Sequence, residues 1–234
     1  MSTSTEFLSP SSGYYARPLA GLAETTVHDD RREILRSLKG LAWITLLSLT
    51  VPVLAVVDAQ LIGSAPSEAS ATEIAQELLL LISAGLFLST AVRSIEMRPI
   101  LLLASGFFAT MLVRELDHFW DKVTHGFWVF PAVLVAALAI ISAFQQQASV
   151  LSSWAKYART RSYLQVSMGL LIILVLSRTF GSQVIWRPIL GNGDVPLTKT
   201  VIQEGLELFG YLFVFWGATE IWRQPTTLSQ TNCQ

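Results

Sequence analysis

Six apolar runs, at residues 41–61, 76–92, 99–118, 127–144, 163–180 and 201–222, decide most of what this chain can become. Each approaches the roughly 20 residues with which an α-helix crosses a hydrocarbon core about 30 Å thick. Short connections join them, which predicts an all-α polytopic membrane protein whose six transmembrane helices form one bundle. Pro52 and Pro131 fall inside two of the runs and are expected to kink them.

Composition agrees where it bears on class. Hydrophobic residues make up 52% and charged residues 14% of the 234 positions, against about a quarter charged in an ordinary soluble domain. Mean hydropathy is +0.50. With 16 basic and 17 acidic residues the chain lacks the basic excess that phosphate neutralisation requires. Nucleic acid is therefore not an expected partner; the lipid bilayer is, together with other membrane subunits. The one cysteine, Cys233, cannot form an intrachain disulfide. The first residues, MSTSTEFLSPSSGYY, carry no basic stretch followed by an apolar one, so the first span is expected to direct insertion.

Lys and Arg set the expected orientation. With the N-terminus inside, the inner segments hold Arg31, Arg32, Lys39, Arg93, Arg98, Lys156 and others, about twice as many basic residues as the outer segments. Trp43, Trp154 and Trp222 then mark the inner interface, and Trp120, Trp128 and Trp186 the outer one. The expected location is the plasma (inner) membrane with both termini cytoplasmic. Residues 1–27 read as a disordered arm, 28–40 as a basic amphipathic lead-in helix, 41–223 as the six-helix domain and 224–234 as a polar tail.

Several runs are too short to cross unaided. The stretch 99–113 offers about 15 apolar residues and 208–219 about 12, so charged side chains must complete those helices. Counting 1.5 Å per residue, Arg93 to Glu77, Arg98 to Arg114, Arg161 to Arg178 and Arg223 to Glu207 each come to roughly 24 to 26 Å. Four helices thus bring a charge to one depth, with Glu115, Glu204, Asp58 and His118 just beyond. At that depth ionisable groups face a bundle interior or a wet cavity, since facing lipid costs each a few kcal/mol. Glu77, Glu115, Glu204 and Glu207 stand against Arg114 and Arg178, leaving about two negative charges for protons or a cation to match.

Helical spacing groups these residues further. Glu115 and His118 form E-x-x-H; Arg114, His118, Asp121 and His125 follow one face; Glu204, Glu207 and Tyr211 share another. Oxygen and imidazole donors of this kind suit Zn, Mn or Fe. They resemble part of a ferritin-like carboxylate site, with the second E-x-x-H replaced by E-x-x-E at residues 204–207. In a metal-dependent, hydrolase-like enzyme Glu115, His118, Glu204 and Glu207 would be ligands and Glu77 a ligand or general base. His125 would be a second base, with Arg114 and Arg178 binding an anionic substrate or oxyanion. A proton- or ion-coupled transporter is the other alternative, because carboxylate relays serve pumps equally well. The leading expectation is a structural or accessory membrane protein whose Arg and Glu residues fix helix register. No G-x-S-x-G, Walker or CxxC motif is present. The G-N-G-D at residues 191–194 reads as a tight turn, and Ser105 with Ala109, Gly85 with Ser89 and Ala132 with Ala136 as close-packing pairs.

Overall fold

The computed structural model describes residues 19–61, 70–122, 124–191 and 194–224, which are almost wholly helical, with no strand among them. In chain order the helices are α1 Leu19–Leu61, α2 Ala71–Arg93, α3 Arg98–Glu115, α4 Asp117–Trp120, α5 Val129–Phe144, α6 Val150–Tyr157 and α7 Arg161–Leu171. A π-helical turn, Ile172–Ser177, joins α7 to α8 Arg178–Phe180, and α9 Gln183–Leu190 and α10 Val195–Arg223 complete the series. Among the described residues three segments are long and apolar enough to cross a membrane: Ser37–Asp58, Ala71–Arg93 and Arg161–Phe180. The apolar helix α5 is shorter, and α3 and α10 carry Arg114, Glu115, Glu204 and Glu207 within their length.

Helix limits follow capping chemistry. Ser70 caps α2 in a reciprocal box with Glu73, and Pro99 occupies the first turn of α3, where a missing N–H costs nothing. The same logic corrects the expectation for Pro131. Helix α5 begins at Val129 and not at 127, so Pro131 lies in its first turn and has no earlier helical carbonyl to offend. Pro52 does fall within α1. That helix already begins at Leu19, ahead of the lead-in expected from residue 28. The rest of the expected N-terminal arm and the tail beyond Gln224 lie outside the described residues, as do positions 192 and 193 of the 191–194 turn. Its first residue, Gly191, has the positive φ of 56° that glycine tolerates.

The chain divides into two compact units, residues 1–46 and 47–234. The second is organised around α10, which packs against α7 and the π-turn and also against α2; α2 then packs on α3, and α3 on α5 and α6. Its core joins Leu80, Phe87, Leu101, Phe108, Ile173, Tyr211, Val214 and Ile221. Contact between α7 and α10 depends on glycine. A Cβ on Gly169 would sit 2.6 Å from the Gly210 carbonyl, and one on Gly217 2.6 Å from Val166 Cγ2. Gly106 likewise faces Ala139 of α5. The expected pair Gly85 and Ser89 makes no such seam, because Gly85 has open space around it, whereas Ser105 is buried and donates to the Ala84 carbonyl at 2.9 Å.

Candidate functional site

Helices α2 and α10 run side by side in the same direction. Gln76 Nε2 donates to the Glu204 carbonyl at 3.0 Å near their starts, and Arg93 donates to the Trp222 carbonyl at 3.2 Å near their ends. The starting end is acidic. Asp58, at the end of α1, accepts the Ala71 and Thr72 N–H groups at 2.7 and 3.1 Å. It therefore serves as a second cap for α2, where the helix dipole favours a carboxylate, rather than as a free member of the polar layer.

Two arginine-carboxylate clusters lie deeper. In the first, Glu115 at the end of α3 accepts from the adjacent Arg114 and, at 2.9 Å, from the hydroxyl of the buried Tyr211 of α10. In the second, Glu207 is only 6% exposed. Its Oε1 accepts from Ser177 at 3.3 Å and from Gln203 at 3.2 Å, with the Arg178 guanidinium 3.7 Å away. The π-turn delivers both Ser177 and Arg178 to that carboxylate, since the extra residue in its wider turn rotates the rest of the helix about its axis. Gln203, Glu207 and Tyr211 are spaced four apart on α10, so one stripe of that helix serves both clusters.

Beside the first cluster lies a cavity of about 430 Å³, lined by Glu73, Gln76 and Glu77 of α2, Glu115 of α3, and Asp117, His118 and Asp121. Five of these seven side chains are carboxylates and none is Lys or Arg. Glu77 has no hydrogen bond or ion pair to another described residue. The cavity exists because α3 ends early. Leu116, at φ −81° and ψ 21°, leaves the helical path, and α4 begins a separate turn at Asp117. This break overturns the expected continuous faces: Glu115 and His118 are not an i,i+3 pair on one helix, and Arg114, His118, Asp121 and His125 do not follow one stripe. His118 nevertheless reaches the cavity.

His125 does not. It lies on the surface with its side chain 97% exposed, its Nδ1 2.9 Å from Asp121. The Gly126 backbone N–H, at 2.9 Å, and the His125 ring together hold the Asp121 carboxyl below its ordinary range. The expected metal set is not assembled either. Among the described residues no group of three or more His, Cys, Asp or Glu donors is placed to hold a metal ion. Glu115 and Glu207 are engaged by Arg114 and Arg178, and Glu204 meets α2 through its backbone. Sequence reasoning missed Gln203, Ser177, Gln76 and Glu73; only Gln203, four residues before Glu207, announced itself by spacing.

No family model matches the chain, and comparison with curated proteins and with solved structures likewise finds no match.

Proposed function

We propose that this is a six-span integral protein of the plasma membrane, N- and C-termini cytoplasmic, acting as a structural or accessory membrane component. The observation that carries this reading is that both deep carboxylates are engaged from within. Glu115 is held by Arg114 and Tyr211, and Glu207 by Arg178, Ser177 and Gln203. Groups committed in this way specify which helices meet and in what register. The alternation of α1, α2, α3, α5, α7 with α8, and α10 supports six spans, and the basic residues at the far end of α2 support the orientation. Mild detergent extraction is expected to recover the chain within a larger membrane assembly, and Arg114→Gln with Glu115→Gln together is expected to be milder than either alone. Recovery as a lone particle, with singles no worse than the double, counts against the role.

A second reading, a proton- or cation-coupled transporter, is favoured by the carboxylate-lined cavity around Glu77 and His118. Like charges held close repel unless a proton or cation intervenes. In proteoliposomes Glu77→Gln would abolish flux while leaving the fold intact; vesicles that remain tight to protons and alkali cations with the wild-type protein would remove this reading.

A further inference from the structure

The first unit of the chain carries a face that its own packing leaves open. In α1, Arg32, Lys39 and Trp43 are spaced seven and then four residues apart, and Ile34, Leu38 and Leu41 four and then three, so each trio occupies its own stripe of the helix. All six side chains are exposed, as is Leu35 beside the apolar stripe. Arg32 and Lys39 make no ion pair with another described residue. Immediately after this face, the segment Ser37–Asp58 is long and apolar enough to cross a bilayer, with none of its apolar window buried. At 1.5 Å per residue its 22 residues span roughly the thickness of the hydrocarbon core. Lys39 and Trp43 therefore fall at the headgroup boundary, and Arg32 about 10 Å beyond Lys39. Gly40 has no neighbour within 4 Å of a built Cβ, and a glycine within a helix lowers the cost of bending it there.

We propose that the exposed face of α1 from Arg31 to Trp43 is a binding surface for anionic phospholipid. The guanidinium and ammonium groups of Arg32 and Lys39 take the headgroup phosphates. Leu38 and Leu41, level with Lys39 and Trp43, meet the edge of the acyl layer, and Ile34 and Leu35 lie among the headgroups. Charge complementarity names the occupant. A neutral bilayer accounts for the apolar stripe alone, whereas the basic stripe on the opposite side of the helix gains from anionic lipid on the order of fivefold in occupancy per residue. The inference rests on Ser37–Asp58 being a span, and the test reads that premise separately.

The full-length protein is placed in nanodiscs of phosphatidylcholine, or of phosphatidylcholine with about one third phosphatidylglycerol, and backbone hydrogen exchange is followed along α1. Residues 44–58 are expected to be protected in both lipids, because they cross the bilayer. Residues 31–43 are expected to exchange roughly thirtyfold more slowly when phosphatidylglycerol is present, and Arg32→Gln with Lys39→Gln is expected to cancel that difference. Inorganic phosphate added to the neutral nanodiscs is expected to do nothing; protection by phosphate alone would assign the site to a soluble anion and overturn the lipid proposal. Equal exchange of 31–43 in the two lipids overturns it while sparing the span. Rapid exchange of 44–58 in both overturns span and lipid site together.

Discussion

The two ends of the parallel pair α2 and α10 use charge in opposite ways. At the finishing end Arg98, Arg93 and Lys156 are each occupied by backbone or by a partner. Arg98 donates to the Ala91 and Val92 carbonyls at 3.0 Å each, closing the last turn of α2. Arg93 donates to the Trp222 carbonyl and lies 5.1 Å from the centre of its ring. Lys156 pairs with Glu96 at 2.9 Å. At the starting end, Asp58, Ser70 and Glu73 cap α2, but Glu77 and Asp117 face a cavity with no Lys or Arg on its walls. Helix ends explain the contrast. A C-terminus presents bare carbonyls that absorb guanidinium groups, and an N-terminus absorbs only as many carboxylates as can reach its first N–H groups. The carboxylates left over at the acidic end are free for chemistry or for a partner.

The largest effect should come from the deepest carboxylate. Glu207→Ala leaves Arg178 facing the bundle without its partner and Gln203 without its acceptor, while Ser177 keeps its bond to the Ile173 carbonyl. With Arg178 itself half-exposed, the loss is expected to be about 3 kcal/mol, the low end of the range for breaking a buried pair. Thermal unfolding in detergent checks it, and Glu207→Gln, which keeps the hydrogen bonds of Ser177 and Gln203, should recover part of the loss. A Glu207→Ala protein as stable as wild type would remove the register role from this cluster.

The finishing end should break at high pH instead. Tyr157 is buried, its hydroxyl 3.1 Å from Ser162 Oγ, which in turn donates to the Gly217 carbonyl at 2.7 Å. Burial pushes the Tyr157 hydroxyl up to about 12. Because the folded state holds this proton more tightly than the unfolded chain, the contribution is full below about pH 10 and is lost as pH climbs through about 12, amounting to about 2 to 3 kcal/mol. Unfolding curves should steepen over that window for wild type and stay flat for Tyr157→Phe. Arg98→Ala, which uncaps α2, is expected to cost about 1 to 2 kcal/mol at neutral pH, discounted because the guanidinium is partly exposed. If it cost nothing, the account of the finishing end as closed by cations would fail.

How far the sequence reveals these two ends depends on what each feature needs. Apolar run length shows where α2, α3, α5, α7 and α10 lie, because the length and composition of an apolar helix are properties of the segment itself. That Arg178 and Glu207 meet is legible as well, from helical rise alone. The break at Leu116 is not, since one residue's ψ is decided by what packs around it, and that break moves His118 off the face of Glu115. The π-turn before Arg178 is hidden for the same reason. Gly169 and Gly210 carry no signal in their own helices, because each matters only once the other is known to be opposite. Gln203 rather than Glu204 joins Glu207, a choice between i,i+4 and i,i+3 neighbours that only the rotation of α10 decides.

The smallest effect on stability should be the most informative about function. Glu77→Gln and Glu115→Gln are the same chemical change at two walls of one cavity. Glu115 loses the charge that holds Arg114 and weakens its bond to Tyr211, for an expected cost of about 1 to 2 kcal/mol. Glu77 has no hydrogen bond or ion pair to lose, and it faces His118 as well as the carboxylates Glu73 and Glu115, so its neutralisation should change stability by no more than about 0.5 kcal/mol. Measured side by side in detergent, the two substitutions separate a carboxylate that builds the bundle from one the bundle holds in reserve. Equal losses at both positions would mean that Glu77 is engaged after all, and the cavity would then be one more element of the register network rather than a place where a proton or cation is handled.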